Sequence, residues 1–249
     1  MFHRDTAPGI HRIEDSYVNW FIVEDGAGRG VTVVDAGVPT SWSSLVDALR
    51  ELGRTTSDVE ALVLTHAHFD HVGFAERART ELGVPVYAHA SEEPVTRHPL
   101  RYRHERSPLL YPLRYPKALP IIAAFARNGV LRTPGIGATT AYVDHEVLDV
   151  PGAPRVVATP GHTLGHASLL FSDRDALIAG DAVVMLNPYT GGRGPQLVAR
   201  GATADSDAAI ASLDRVAETG AGTVLTGHGE VWRAGAQSLA DLAREHERV

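Results

Sequence analysis

The 249 residues carry a formal net charge of −7, 44% apolar residues and 21% charged ones, the balance of a globular chain long enough to bury a core without staples. With no cysteine in the chain, disulfides, thiolate metal ligands and a cysteine nucleophile are excluded, so any metal must be held by His and Asp or Glu. The negative charge argues against general nucleic-acid binding, and no apolar run reaches the roughly 18 residues of a membrane span.

Residues 1–10 include His3, Arg4, Asp5 and Pro8 with no apolar leader core after them, so a cytoplasmic protein is expected. Residues 17–23 and 31–35 read as strands joined by a hairpin loop with Gly26, Gly28 and Gly30. Trp42, Leu45, Val46, Leu49 and Leu52 fall at helical spacing, which predicts an amphipathic helix over 41–52. A short apolar strand, 60–64, runs into a histidine cluster. A helix over 74–82 and a strand over 84–88 follow. The stretch 95–135 is irregular and punctuated by proline, with its best helix at 117–131. Strands are expected at 146–150, 155–158, 168–171, 176–179 and 223–225. Ile210, Leu213, Val216 and Ala217 mark a helix with Asp205 and Asp207 near its start, where the helix dipole favours acids. A terminal helix is expected over 232–247. Strand blocks with helices between and after them imply mixed sheets covered by helices, and the absence of repeats or linkers implies one domain over 1–249.

The chemistry-bearing feature is His66-Ala67-His68-Phe69-Asp70-His71. Positions two apart in extended chain point the same way, so His66 and His68 can serve one centre while Asp70 and His71, past a bend, serve another. Imidazole and carboxylate are the usual ligands of zinc and similar divalent ions. The spacing arises by chance in roughly 2 of 1000 such chains; the alternative is a solvated His-rich turn. Three later strand ends each deliver a ligand-type residue beside glycine: Gly161-His162, Gly180-Asp181 and Gly227-His228.

Taken together, Asp35 in Val-Val-Asp-Ala-Gly, the 66–71 run, His162, Asp181 and His228 resemble, in order and over nearly the whole chain, the motifs of the metallo-β-lactamase-fold hydrolase superfamily. The resemblance implies an α/β (α+β) four-layer αββα sandwich of two mixed sheets, here with a helical insertion at about 95–135. It implies that His66, His68 and His162 hold one divalent ion and Asp70, His71 and His228 a second, with Asp181 between them. The ions would be Zn²⁺, with Mn²⁺ or Fe²⁺ as alternatives. Asp35 and His166 would support these ligands from behind. A hydroxide shared by the two ions would attack a polarised carbonyl, with Asp70 orienting it and passing its proton to the leaving group.

Departures from family patterns narrow the substrate by exclusion. His68 replaces the glutamate of flavodiiron members. Class B1 and B2 β-lactamases use a cysteine at the metal, and class B3 enzymes lack an aspartate like Asp181. Glyoxalase II enzymes add a C-terminal domain, whereas about 20 residues follow His228. Acyl-homoserine lactonases carry a tyrosine where Val184 stands, although Tyr189 is near. The expected activity is hydrolysis of a small carbonyl ester: a lactone, thioester or related acyl compound. The alternatives are a mononuclear iron persulfide-dioxygenase-like oxygenase, a phosphodiesterase, or a non-catalytic metal-containing sensor.

Residues 97–132 hold eight basic side chains against Glu105 alone, a local charge of +7. Arg101 and Tyr102 within the segment, with Tyr189, are candidate substrate contacts. The segment is open to three readings: a lid favouring anionic or acyl small molecules, an interface of a homodimer as against a monomer, or a solvated arginine-rich surface.

Overall fold

The computed structural model describes residues 1–26, 28 and 30–247. Seven strands, β1 (Phe2–Ala7), β2 (Ile10–Asp15), β3 (Val18–Glu24), β4 (Val31–Val34), β5 (Val59–Val63), β6 (Val86–His89) and β7 (Thr140–Tyr142), form one sheet in chain order. The pairs from β1 to β4 are antiparallel, and those from β4 to β7 are parallel. Of the later strands, β8 (Arg155–Ala158), β9 (Ala167–Phe171), β10 (Ala176–Gly180), β11 (Val184–Leu186), β12 (Arg193–Gln196) and β13 (Thr223–Thr226), four build a second sheet in the order β13-β10-β9-β8. There β10 runs parallel to β13 and antiparallel to β9; β11 and β12 make a separate hairpin.

The period of two along the strands assembles the layers. Phe21 and Val23 of β3 face inward onto Leu169 and Phe171 of β9 and Ile178 of β10, forming the core between the sheets. The alternate residues Trp20 and Ile22 pack outward on Leu45 and Leu49 of helix α1 (Trp42–Glu51) and on Phe74. On the other flank, Leu177 and Ala179 of β10 meet Leu213 and Val216 of one helix and Leu239 and Ala243 of the last. Between α1 and these come α2 (Glu93–Arg97) and α3 (Leu119–Arg127); the flanking pair are α4 (Ser206–Glu218) and α5 (Ala236–Glu247). The result is helix, sheet, sheet, helix. α4 starts where Asp205 accepts the Ala208 N–H at 2.9 Å, a side-chain cap that satisfies one orphan donor. No described helix is long and apolar enough to cross a membrane.

Several sequence expectations change. The strand expected at 146–150 is absent: only Val147 bridges Arg155, because the chain turns sharply at Pro151-Gly152 and hugs β8 through irregular bonds. The helix expected over 117–131 divides into a 3₁₀ turn (Pro116–Ala118), α3, and a second 3₁₀ turn (Val130–Arg132). Gly129, at φ +79°, ends α3 in a left-handed residue. The helix over 74–82 is a short α turn continued as a wide π turn. The terminal helix begins at Ala236, because Trp232 instead bridges Val224. Strands β1, β2, β7, β11 and β12 were not expected. β2 mixes buried polar residues with its isoleucines: Arg12 donates to the Gly229 carbonyl at 2.9 Å, and His11 contacts Glu24 at 3.1 Å.

Tyr142 links β7 to the histidine run. Its buried hydroxyl donates to the Leu64 carbonyl at 2.7 Å. Tyr142→Phe leaves that carbonyl short of a donor and should lower unfolding free energy by about 1–3 kcal/mol. Urea denaturation reads this directly; an unchanged midpoint would mean that the bond contributes nothing.

Candidate metal centre

Strand ends deliver the site. Asp35 follows β4, the 66–71 run follows β5, His162 lies between β8 and β9, and Asp181 and His228 follow β10 and β13. Because β4 pairs in parallel with β5, and β10 with β13, these ends open toward one edge of the sandwich. The Ala167 N–H donates to the Thr65 carbonyl at 2.9 Å and stitches the two sheets at that edge. The His71 N–H donates to the His68 carbonyl at 2.9 Å, which folds the run into a tight turn. Close approach demands glycine at 227: a Cβ there would lie 2.1 Å from Asp181 Oδ1 and 2.9 Å from His71 Cε1.

The structure gathers His66, His68 and His162 into one group, and Asp70, His71 and His228 into another, with the donor atoms of each group within 4.8 Å of one another. Asp181 faces both. Its carboxylate lies 3.5 Å from His162 Nε2, 3.3 Å from His228 Nε2 and 3.7 Å from His71 Nε2. His228 Nε2 is also 3.5 Å from Asp70. All seven side chains are buried.

Hydrogen bonds behind the imidazoles fix their tautomers. Asp35 accepts from the Thr65 N–H and Thr65 Oγ1, each at 2.8 Å. The Thr65 hydroxyl proton is thereby committed, so His66 Nδ1, 3.0 Å from that oxygen, must be the donor. His71 Nδ1 donates to Asp35 at 3.0 Å, and His228 Nδ1 donates to the Tyr17 carbonyl at 2.7 Å. Each of these rings therefore turns its Nε2 inward, the atom that a bound cation would take. The Nε2 atoms of His66, His68, His71, His162 and His228, together with Asp181 Oδ1, are buried with no hydrogen-bond partner among the described residues. Such atoms are costly unless something pairs with them. Converging imidazole nitrogens and carboxylate oxygens fit a divalent cation and little else. A third group, Asp35, His66 and His71, also has donor atoms within 4.8 Å. Its Asp35 carboxylate is already engaged by Thr65 and His71, so it supports the pit from outside.

His166 acts from the other side. Its Nε2 accepts the Asp181 backbone N–H at 3.0 Å, and its Nδ1 lies 2.9 Å from Thr159 Oγ1. A neutral ring protonated at Nδ1 suits both contacts, and burial lowers its pKa to about 4. Burial likewise takes His68 down to about 3 and holds His66 and His162 well below 6.5, with neighbouring imidazoles adding to the effect. At His71 burial is outweighed by Asp181, Asp70 and Asp35, which raise it to about 10. Burial also raises the Asp70 carboxyl.

Tyr102 packs its ring 4.5 Å from that of His68, and its hydroxyl lies 2.8 Å from the Tyr189 hydroxyl. Arg101 is exposed and stands outside this group. One residue escaped the sequence reading altogether. Glu92, buried between β6 and α2, accepts the Ala67 N–H through Oε2 and the Gly165 N–H through Oε1, both at 2.8 Å. It clamps the loop carrying His66 and His68 to the loop carrying His162 and His166. The only local hint was a pair of acids, Glu92-Glu93, just past a strand, and nothing in their spacing names partners so distant along the chain.

The family model of the Metallo-beta-lactamase superfamily matches residues 13–228. The chain is 29% identical over 235 residues to "Probable metallo-hydrolase YflN" of Bacillus subtilis, covering 90% of this chain and 85% of that protein. It is 25% identical over 177 residues to a hydroxyacylglutathione hydrolase of Rhodospirillum rubrum, covering 70% of this chain and 51% of that one. The crystal structure of the metallo-beta-lactamase family protein TTHA1429 from Thermus thermophilus superposes with a TM-score of 0.70 at 25% identity, covering 97% of this chain and 80% of that chain.

Two outcomes follow from this geometry. Glu92→Ala should lower bound metal at least several-fold, read by elemental analysis, with Glu92→Gln intermediate because it keeps one acceptor; full loading in Glu92→Ala would remove the clamp. The metal-free protein should be most stable near pH 6.5. Below that, the depressed imidazoles of His66, His68, His162 and His166 favour the unfolded chain, which takes up protons first, and stability falls toward pH 4. Above it, the raised His71 and His228 lose their contribution, for His71 by about pH 10. Calorimetry on chelator-treated protein with a flat Tm from pH 4 to 8 would contradict this account.

Proposed function

The chain belongs to the metallo-beta-lactamase superfamily, and on that premise we propose that it is a two-metal hydrolase of small carbonyl esters, a lactone, thioester or related acyl compound. The observation that carries this reading is the set of buried, unpaired Nε2 atoms aimed at one another across Asp181. His66, His68 and His162 would hold one ion, Asp70, His71 and His228 the other, and Asp181 both; zinc is the expected metal, with manganese or iron as alternatives. Bound divalent ions make hydroxide available near neutral pH and polarise a carbonyl oxygen.

The residues of the chain supply the rest. Asp70, buried beside His228, orients the attacking water and carries its proton to the leaving oxygen or sulfur. The acyl–O or acyl–S bond breaks, giving a carboxylic acid and an alcohol or thiol, or a single hydroxy acid from a lactone. Tyr102, packed over His68, and Tyr189, bonded to the Tyr102 hydroxyl, restrict water at the site. The hydroxyacylglutathione hydrolase relative supports a thioester among the candidates.

His162→Ala and Asp181→Ala should each abolish hydrolysis, by at least about 100-fold, the scale of losing a metal-held nucleophile, and reduce metal content. A screen of lactones, thioesters, aryl esters, phosphodiesters and β-lactams, with metal counted per chain, tests the reading. One iron per chain, or no turnover by fully loaded protein in any class, would overturn it.

A further inference from the structure

The insertion is strongly basic, and its arginines lie at the surface. Arg101, Arg103, Arg106, Arg114, Arg127 and Arg132 are all exposed. The insertion borders a cavity of about 330 Å³ lined by Leu109, Ile122, Phe125 and Leu131 together with Phe69 and Tyr189; no charged side chain lines it. Phe69 lies between His68 and Asp70 in the metal run, and its ring is 6.0 Å from that of Phe125. Tyr189 reaches Tyr102, which packs on His68. Phe69 and Tyr189 therefore border the cavity on the side of the cluster. Its volume lies at the small end of ligand pockets, which run to about 1,000 Å³, too little for a folded partner and enough for one apolar substituent. Its mouth carries Leu109 at 81% and Leu131 at 74% exposure, apolar surface that a monomer leaves in water only at a cost.

We propose that this cavity receives the apolar acyl portion of the substrate, which makes the preferred substrates neutral, medium-chain acyl esters or thioesters and not anionic ones. The inference rests on the hydrolase reading for the carbonyl, but the cavity is testable without turnover. Straight-chain alkyl methyl ketones, which carry the carbonyl but cannot be hydrolysed, should bind the metal-loaded protein with Kd falling about fourfold per methylene until the cavity is full. The matching p-nitrophenyl esters, kept below their micelle concentrations, should show kcat/KM rising by the same factor. Ile122→Asp and Leu131→Asp should flatten both series. Their positions are 37% and 74% exposed, so folding, checked by circular dichroism, should survive; Leu109→Asp is a third variant at an exposed site. A flat ketone series with wild type, or a slope unchanged in the folded variants, would overturn the cavity assignment. Ketones that bind with the expected slope while no ester is cleaved would leave the cavity standing and remove the hydrolase reading instead.

Discussion

One buried carboxylate organises the centre. Asp35 is fully buried and stands at φ +60°, a left-handed conformation that costs a non-glycine residue roughly 1 kcal/mol. In return its two oxygens take three hydrogen bonds, from the Thr65 amide, the Thr65 hydroxyl and His71 Nδ1. Through Thr65 it sets the proton on His66, and directly it sets the proton on His71. Two imidazoles, one in each group, thus owe their inward-facing Nε2 atoms to a single residue. Its place at the end of β4, beside the end of β5, lets so short a contact reach both.

The remaining supports follow the same logic of holding a ligand from behind. Tyr17 offers a carbonyl to His228, His166 grips the amide of Asp181, and Glu92 joins the two histidine loops. The bare nitrogens in front are costly while unpaired. The two sheets and their helices must outweigh that cost, and a bound cation would relieve it.

What the sequence disclosed divides by distance along the chain. The 66–71 run was legible because its spacing is local, and the strand-end glycines beside His162, Asp181 and His228 flagged the rest. Asp35 was found only through its motif context. Glu92 was invisible, since its two partners lie 25 and 73 residues away. Central strands such as β3, β9 and β10 were readable because both faces are buried and nearly every residue is apolar. Edge strands such as β1 and β12 carry polar residues, glycine and proline, and their pairing comes from neighbours and not from propensity. The charge of the insertion was legible as a sum, and its arginines are indeed exposed; the apolar side chains that line a cavity beneath them were not, because net charge does not say which side chains turn inward.

The insertion between α2 and β7 contributes none of the clustered imidazoles or carboxylates. Those all ride on strand ends whose pairing the sheets enforce. Changes in the length or side chains of that one segment therefore leave untouched the strand ends that carry the clustered imidazoles and carboxylates. The scaffold thus works like a tool with a fixed head and an interchangeable grip: the rigid part and the variable part are different stretches of chain.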